Sequence, residues 1–202
     1  MLRTRCMLAA GALCFLAGSA NAQATFTPSF NAPRAPFVRS EFGGVMSFPD
    51  GGTAYEGAYR VGSRRLDIGI RGGLLDPVGP VGSWALMGVE GRAQIITHDP
   101  YFPVDGALIF GAGGRIRSGQ SLYSIPLGIS LGRQLNVERS TVSLTPYVQP
   151  TAVVLGGNTR STDVVFAMGL GANLRLGGTF DTRLSIGIGD LHGISLGAVW
   201  VH

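Results

Sequence analysis

Asp190-Leu191-His192 is the stretch whose spacing comes closest to an acid–base pair, because a carboxylate two residues from an imidazole can orient it as a general base. No clustered acid–base partner accompanies it in the sequence, so it reads as a polar hairpin turn and no catalytic residue is assigned. His98, His192 and His202 lie in separate segments without the spacing of metal ligands. Gly113-Gly114 is not followed by a helix pattern and so is not a phosphate loop. The expectation is a chain without enzymatic activity, cofactor or metal. Its charges pair by sign at even spacings instead: Glu56 with Arg60, Asp67 with Arg71, and Glu90 with Arg92. What that spacing means depends on the elements that carry it.

Composition narrows those elements. Gly supplies 32 of 202 residues, about twice the usual share of roughly 7%. Charged residues are 14%, against roughly 25% in an ordinary soluble domain. All 16 basic residues are Arg and none is Lys. So sparse a charge argues against a nucleic-acid module, and a hydrophobic content of 45% argues against simple disorder. The length suits one domain.

The N-terminus reads as an address. Arg3 and Arg5 precede a short apolar run over 7–18, and Ala20-Asn21-Ala22 follows, which describes a secretory signal peptide over 1–22 cleaved between Ala22 and Gln23. The run is shorter than the roughly 20 residues a membrane-spanning helix needs. Cys6 and Cys14 leave with it, so the mature chain has no thiol and no disulfide. Residues 23–40, with Pro28, Pro33 and Pro36 between Phe26, Phe30 and Phe37, read as an extended tether, with a docking segment as the alternative.

From residue 41 onward the sequence alternates with period two. Tyr123, Ile125, Leu127, Ile129 and Leu131 share one face of a strand, with Ser124, Pro126, Gly128, Ser130 and Gly132 opposite. The same alternation runs through 163–176 and 180–188. Turn signals divide the chain into ten candidate strands near 41–48, 53–61, 64–72, 83–96, 104–116, 121–134, 141–155, 163–176, 179–189 and 193–202. Short connections make successive strands antiparallel neighbours. Most candidates match the ~9–11 residues with which a tilted strand crosses a bilayer.

A soluble barrel turns its apolar face inward. Here the polar face is built mostly from Gly, Ser, Ala and Thr, which suits a narrow interior better than a water-facing exterior, while the Leu/Ile/Phe face suits lipid. Closure would satisfy every backbone group, as a sheet in lipid requires. The predicted fold is therefore all-β: a closed antiparallel up-and-down transmembrane barrel over 41–202, of about ten strands with eight as the alternative.

At this point the chain resembles the small outer-membrane β-barrel proteins of Gram-negative bacteria, including uncharacterised members. The C-terminal stretch Ser195-Leu196-Gly197-Ala198-Val199-Trp200-Val201-His202 is similar to the assembly signal of that class, with Ser195, Gly197, Trp200 and His202 at its marked positions and His202 where Phe or Trp is usual. The hairpin segments Ile125–Arg133 and Val142–Val148 are similar as well. The resemblance implies outer-membrane lipid and the barrel-assembly machinery as partners, and it implies no activity. Omptin-type outer-membrane proteases combine Asp-x-His with a second carboxylate pair, which has no Asp-x-Asp counterpart here.

With Ser195 and Gly197 facing the lumen, parity places Glu56, Arg60, Asp67, Arg71, Glu90, Arg92, Arg115, Gln149, Arg175, Asp181 and Arg183 inside. Opposite charges on one face and on neighbouring strands can pair there. They read as a salt-bridge ladder filling a narrow, porin-like barrel with a structural or interaction role. The alternative is a small channel or ligand-binding barrel. The sequence names neither a solute nor an oligomeric state.

Overall fold

The computed structural model describes residues 24–33 and 39–202. The signal-peptide reading, with Ala22 and Gln23, lies outside the described residues. Strands account for nearly all of the rest: β1 Ser40–Pro49, β2 Gly52–Ser63, β3 Leu66–Pro77, β4 Trp84–Ile96, β5 Asp105–Arg117, β6 Gln120–Gly132, β7 Leu135–Asn136, β8 Ser143–Gly157, β9 Arg160–Leu176, β10 Phe180–Gly189 and β11 Gly193–Val201. Each long strand pairs antiparallel with the one before it. The two-residue β7 continues β6 along the edge of β8.

The ring closes. β1 pairs with β11 from Glu41↔Val201 to Pro49↔Gly193, and β6 pairs with β8 from Leu122↔Gly157 to Gly132↔Tyr147. The result is a ten-stave, all-β closed antiparallel barrel. β1, weakened by Gly43-Gly44, is held on both sides, by β2 and by β11.

Most strand boundaries fall within two or three residues of those read from the sequence. β3 differs most: it continues to Pro77 rather than stopping at 72. A Cβ at Gly73 would run into the Tyr55 carbonyl, so this glycine is what lets β2 and β3 approach there. At the other end, Arg64 sits at φ 54° in the turn before β3.

The faces sort by polarity in the sense opposite to a soluble protein. Tyr123, Ile125, Leu127, Ile129, Phe166, Met168, Leu170, Leu184, Ile186 and Trp200 are all exposed on the outside. Ser130 and Gly187 are buried inside. The outer surface carries many further large apolar side chains on β1 to β5, such as Phe42, Tyr55, Ile70 and Val89. An apolar surface this extensive exceeds what a water-exposed monomer ordinarily shows.

Candidate functional site: the lumen

Period-two alternation puts the charges of β2, β3 and β4 inside the ring. Register then brings unlike charges together: Asp67 stands opposite Arg92, and Arg60 and Glu90 both stand opposite Gly69. A glycine between them leaves the space that both side chains cross.

The contacts form one network. The Arg92 Nε and Nη2 atoms both lie 2.8 Å from Asp67 Oδ2. Arg60 donates to Asp67 through Nη1 and to Glu90 through Nη2, the latter at 3.0 Å. Arg71 Nη1 lies 3.2 Å from Glu90 and its Nε 3.9 Å from Glu56. A second group lies around β1, β9 and β10, where Arg183 donates to Glu41 at 2.8 Å and Arg175 grips Asp181 through two bonds of 2.7 and 2.8 Å; Arg92 Nη2, 3.8 Å from Glu41, links the two groups. Arg60, Asp67, Arg71, Glu56, Glu90 and Arg92 are all buried. Charges this far from water persist because each has an opposite partner; an unpaired one would carry a large desolvation penalty.

Arg115 is different. It makes no ion pair among the described residues and instead stacks between two rings, 4.7 Å from the Phe26 centroid and 4.9 Å from that of Trp84. Arg117 covers Trp84 as well, at 4.4 Å. Cation–π contact is the stabilisation open to a guanidinium here.

The lumen also holds a piece of the chain itself. Residues 24–33 do not trail outside as a tether; they run through the barrel, where Ala24, Phe26, Phe30 and Ala32 are buried. Pro28 and Pro33 keep the segment free of helix, as the sequence indicated, but they leave it able to bond the wall. Its polar groups meet wall side chains in turn. Thr27 Oγ1 donates to Glu56 at 2.7 Å, Asn31 N to Gln149 at 2.9 Å, and Asn31 Nδ2 to Glu90 at 3.2 Å. Its carbonyls accept from Ser185, Tyr147, Ser130 and Arg92, at Pro28, Phe30, Asn31 and Ala32 respectively. Phe30 joins an apolar cluster with Val153, Leu155, Val165, Ala167 and Leu191. Glycines make the room: a Cβ at Gly169 would overlap the Phe30 ring, and one at Gly113 would overlap the Ala24 carbonyl. Beside Ser29, Phe30 and Asn31 the remaining cavity is about 30 Å³, enough for a water or two.

Several members of this site were not singled out from the sequence. Glu41 opens β1 with the inward parity of Gly43, Val45 and Ser47, a signal strand parity could have supplied. Tyr147, Ser185 and Ser130 had no visible partner because that partner is residues 24–33.

The remaining candidates lie apart from the network. Asp190 accepts a bond from the Phe166 backbone at 3.0 Å, while the exposed His192 lies 3.7 Å from Asp50; the two do not bond each other. Leu191 between them turns into the lumen. His98 Nδ1 is 2.9 Å from Asp105, closing the loop before β5. On β11, Ser195 faces inward with its Oγ 2.7 Å from that of Ser47. Gly197 shares that face, Trp200 is outside with its ring edge-on to Phe180, and His202 lies near the Tyr59 ring. Among the described residues no group of three or more His, Cys, Asp or Glu is placed to hold a metal ion.

No protein-family model matches the chain, and no curated protein matches it. A solved structure described as "De novo design of transmembrane beta-barrels" is similar at 12% identity with a TM-score of 0.40, covering 84% of this chain and 98% of that one.

Proposed function

We propose that this chain is an outer-membrane β-barrel of a Gram-negative bacterium, exported by its N-terminal signal, with a structural or interaction role and a largely filled lumen. The observation that carries the reading is the closed ring whose outward face is apolar and whose strand charges, apart from Asp76 and Asp163 near strand ends, lie inside. A bilayer accepts such a surface, since each of the ten long strands is paired on both sides and no charge of the Arg60–Asp67–Arg92 network faces outward. Outer-membrane lipid is then its surrounding, and the barrel-assembly machinery its partner during insertion, with Ser195, Gly197, Trp200 and His202 as the signal read. No catalytic role is assigned to the lumen: its carboxylates are engaged by arginines, and Asp190 and His192 act separately.

Membrane fractionation of expressing cells combined with gel mobility before and after heating tests this. Recovery in the outer-membrane fraction with a mobility that shifts on boiling is expected. A soluble periplasmic protein without such a shift would contradict it.

A further inference from the structure

We propose that residues 24–33 are a displaceable plug, and that the barrel behind them is a hydrophilic pore for inorganic ions and small polar solutes. The inference rests on the membrane reading above and adds a transport function to it.

Three observations carry it. First, the segment Ala24-Thr-Phe-Thr-Pro-Ser-Phe-Asn-Ala-Pro33 contains no charged residue. Second, the buried arginines are neutralised by the wall rather than by the segment. Arg60, Arg71, Arg92, Arg175 and Arg183 each reach a carboxylate on a strand. Withdrawal of the segment therefore breaks no ion pair, and Arg115, which loses the Phe26 ring from one face, keeps Trp84 on the other. It releases the neutral groups of Gln149, Ser130, Ser185 and Tyr147 together with single hydrogen bonds to Glu56, Glu90, Arg71 and Arg92, places that water can bond almost as well. Third, the segment lies in a seat cleared for it by glycines, where Gly113 and Gly169 hold no side chain in its path. A seat of this kind is shaped around an occupant separate from the wall. Ordinary core side chains fill a barrel from the wall itself.

Once vacated, the track would be wet. Mixed Arg and acidic side chains line its middle, and Gly, Ser and Thr line much of the remainder, the composition of water-filled barrels. With the segment seated, the cavity of about 30 Å³ beside Asn31 admits no file of solutes.

The test is conductance across planar bilayers in potassium chloride, using the full chain, a variant lacking residues 24–33, and Gly169→Val, which keeps the segment but sets methyl groups where the Phe30 ring lies. A closed full chain, discrete conductance steps from the deletion variant at least tenfold above that baseline, and intermittent openings from Gly169→Val are expected. A synthetic peptide of residues 24–33 should then block the deletion variant. A deletion variant that keeps its heat-modifiable mobility yet stays silent overturns the plug while leaving the membrane reading intact. If the deletion variant does not fold, Gly169→Val decides, and silence there overturns the proposal. Equal conductance from the full chain, or current that the peptide leaves unchanged, also overturns it. Loss of membrane recovery and of heat-modifiable mobility in the full chain would instead refute the reading on which the proposal stands.

Discussion

Tyr147 on β8 donates its phenolic hydroxyl to the carbonyl of Phe30, 2.9 Å away and 117 positions earlier in the chain. Both residues are buried, so the bond has no ready substitute from water. Tyr147→Phe leaves the Phe30 carbonyl without this donor and is expected to cost about 1–3 kcal/mol, the penalty for orphaning a buried acceptor. Urea unfolding in detergent checks this. An unchanged midpoint would mean the segment does not rest on β8.

The Arg92–Asp67 pair offers a second test. Arg92→Met removes a guanidinium from beside a carboxylate that is almost wholly buried. Breaking a buried pair from one side is expected to cost about 3–5 kcal/mol. Adding Asp67→Asn in the same chain should recover part of that loss, because it restores the charge balance of the network in which Arg60 also holds Asp67. A double variant as unstable as the sum of the singles would argue against direct coupling.

The two faces of β9 should respond oppositely to charge. Leu170 is exposed on the outer surface near the middle of the strand. Leu170→Arg is expected to cost about 2–4 kcal/mol in a bilayer by the depth dependence of lipid-facing charges. Folding titrations into vesicles measure it. A neutral result would mean this face meets water.

Closure between the first and last staves can be probed chemically. Val45 stands opposite Gly197, and a Cβ placed on Gly197 would come within 3.3 Å of the Val45 side chain. Cysteines at these two positions should crosslink efficiently under mild oxidation, in a chain expressed without residues 1–22, which hold Cys6 and Cys14. Cysteines at Val45 and Trp200, on opposite faces and out of register, should not. Crosslinking of neither pair in folded protein would indicate an open edge.

Much of this architecture was legible because a barrel writes its walls into the sequence with period two. The apolar face of 121–134 and the small-residue face opposite it fix which side of β6 points out, and one such strand sets the parity of its neighbours. The even spacing of Glu56 and Arg60, and of Asp67 and Arg71, carried the inner charges for the same reason. The end of β3 was less legible because Gly72 and Gly73 carry no side chain to continue the alternation, although there they serve close strand approach. Residues 24–33 were illegible for a deeper reason. They have no periodicity of their own, and their partners are single side chains on many different strands, so no local pattern announces that Phe30 will lie on Gly169.

The most direct test of the inside-out barrel uses the chain's two tryptophans, which lie on opposite sides of the wall. Trp200 is outside and 55% exposed, whereas Trp84 is inside and 8% exposed. Single-tryptophan variants, Trp84→Phe and Trp200→Phe, would be folded into vesicles whose acyl chains carry bromine, a short-range quencher. Strong quenching of Trp200 with Trp84 nearly unaffected is the result this account requires. Equal quenching of both, or quenching of Trp84 alone, would contradict it.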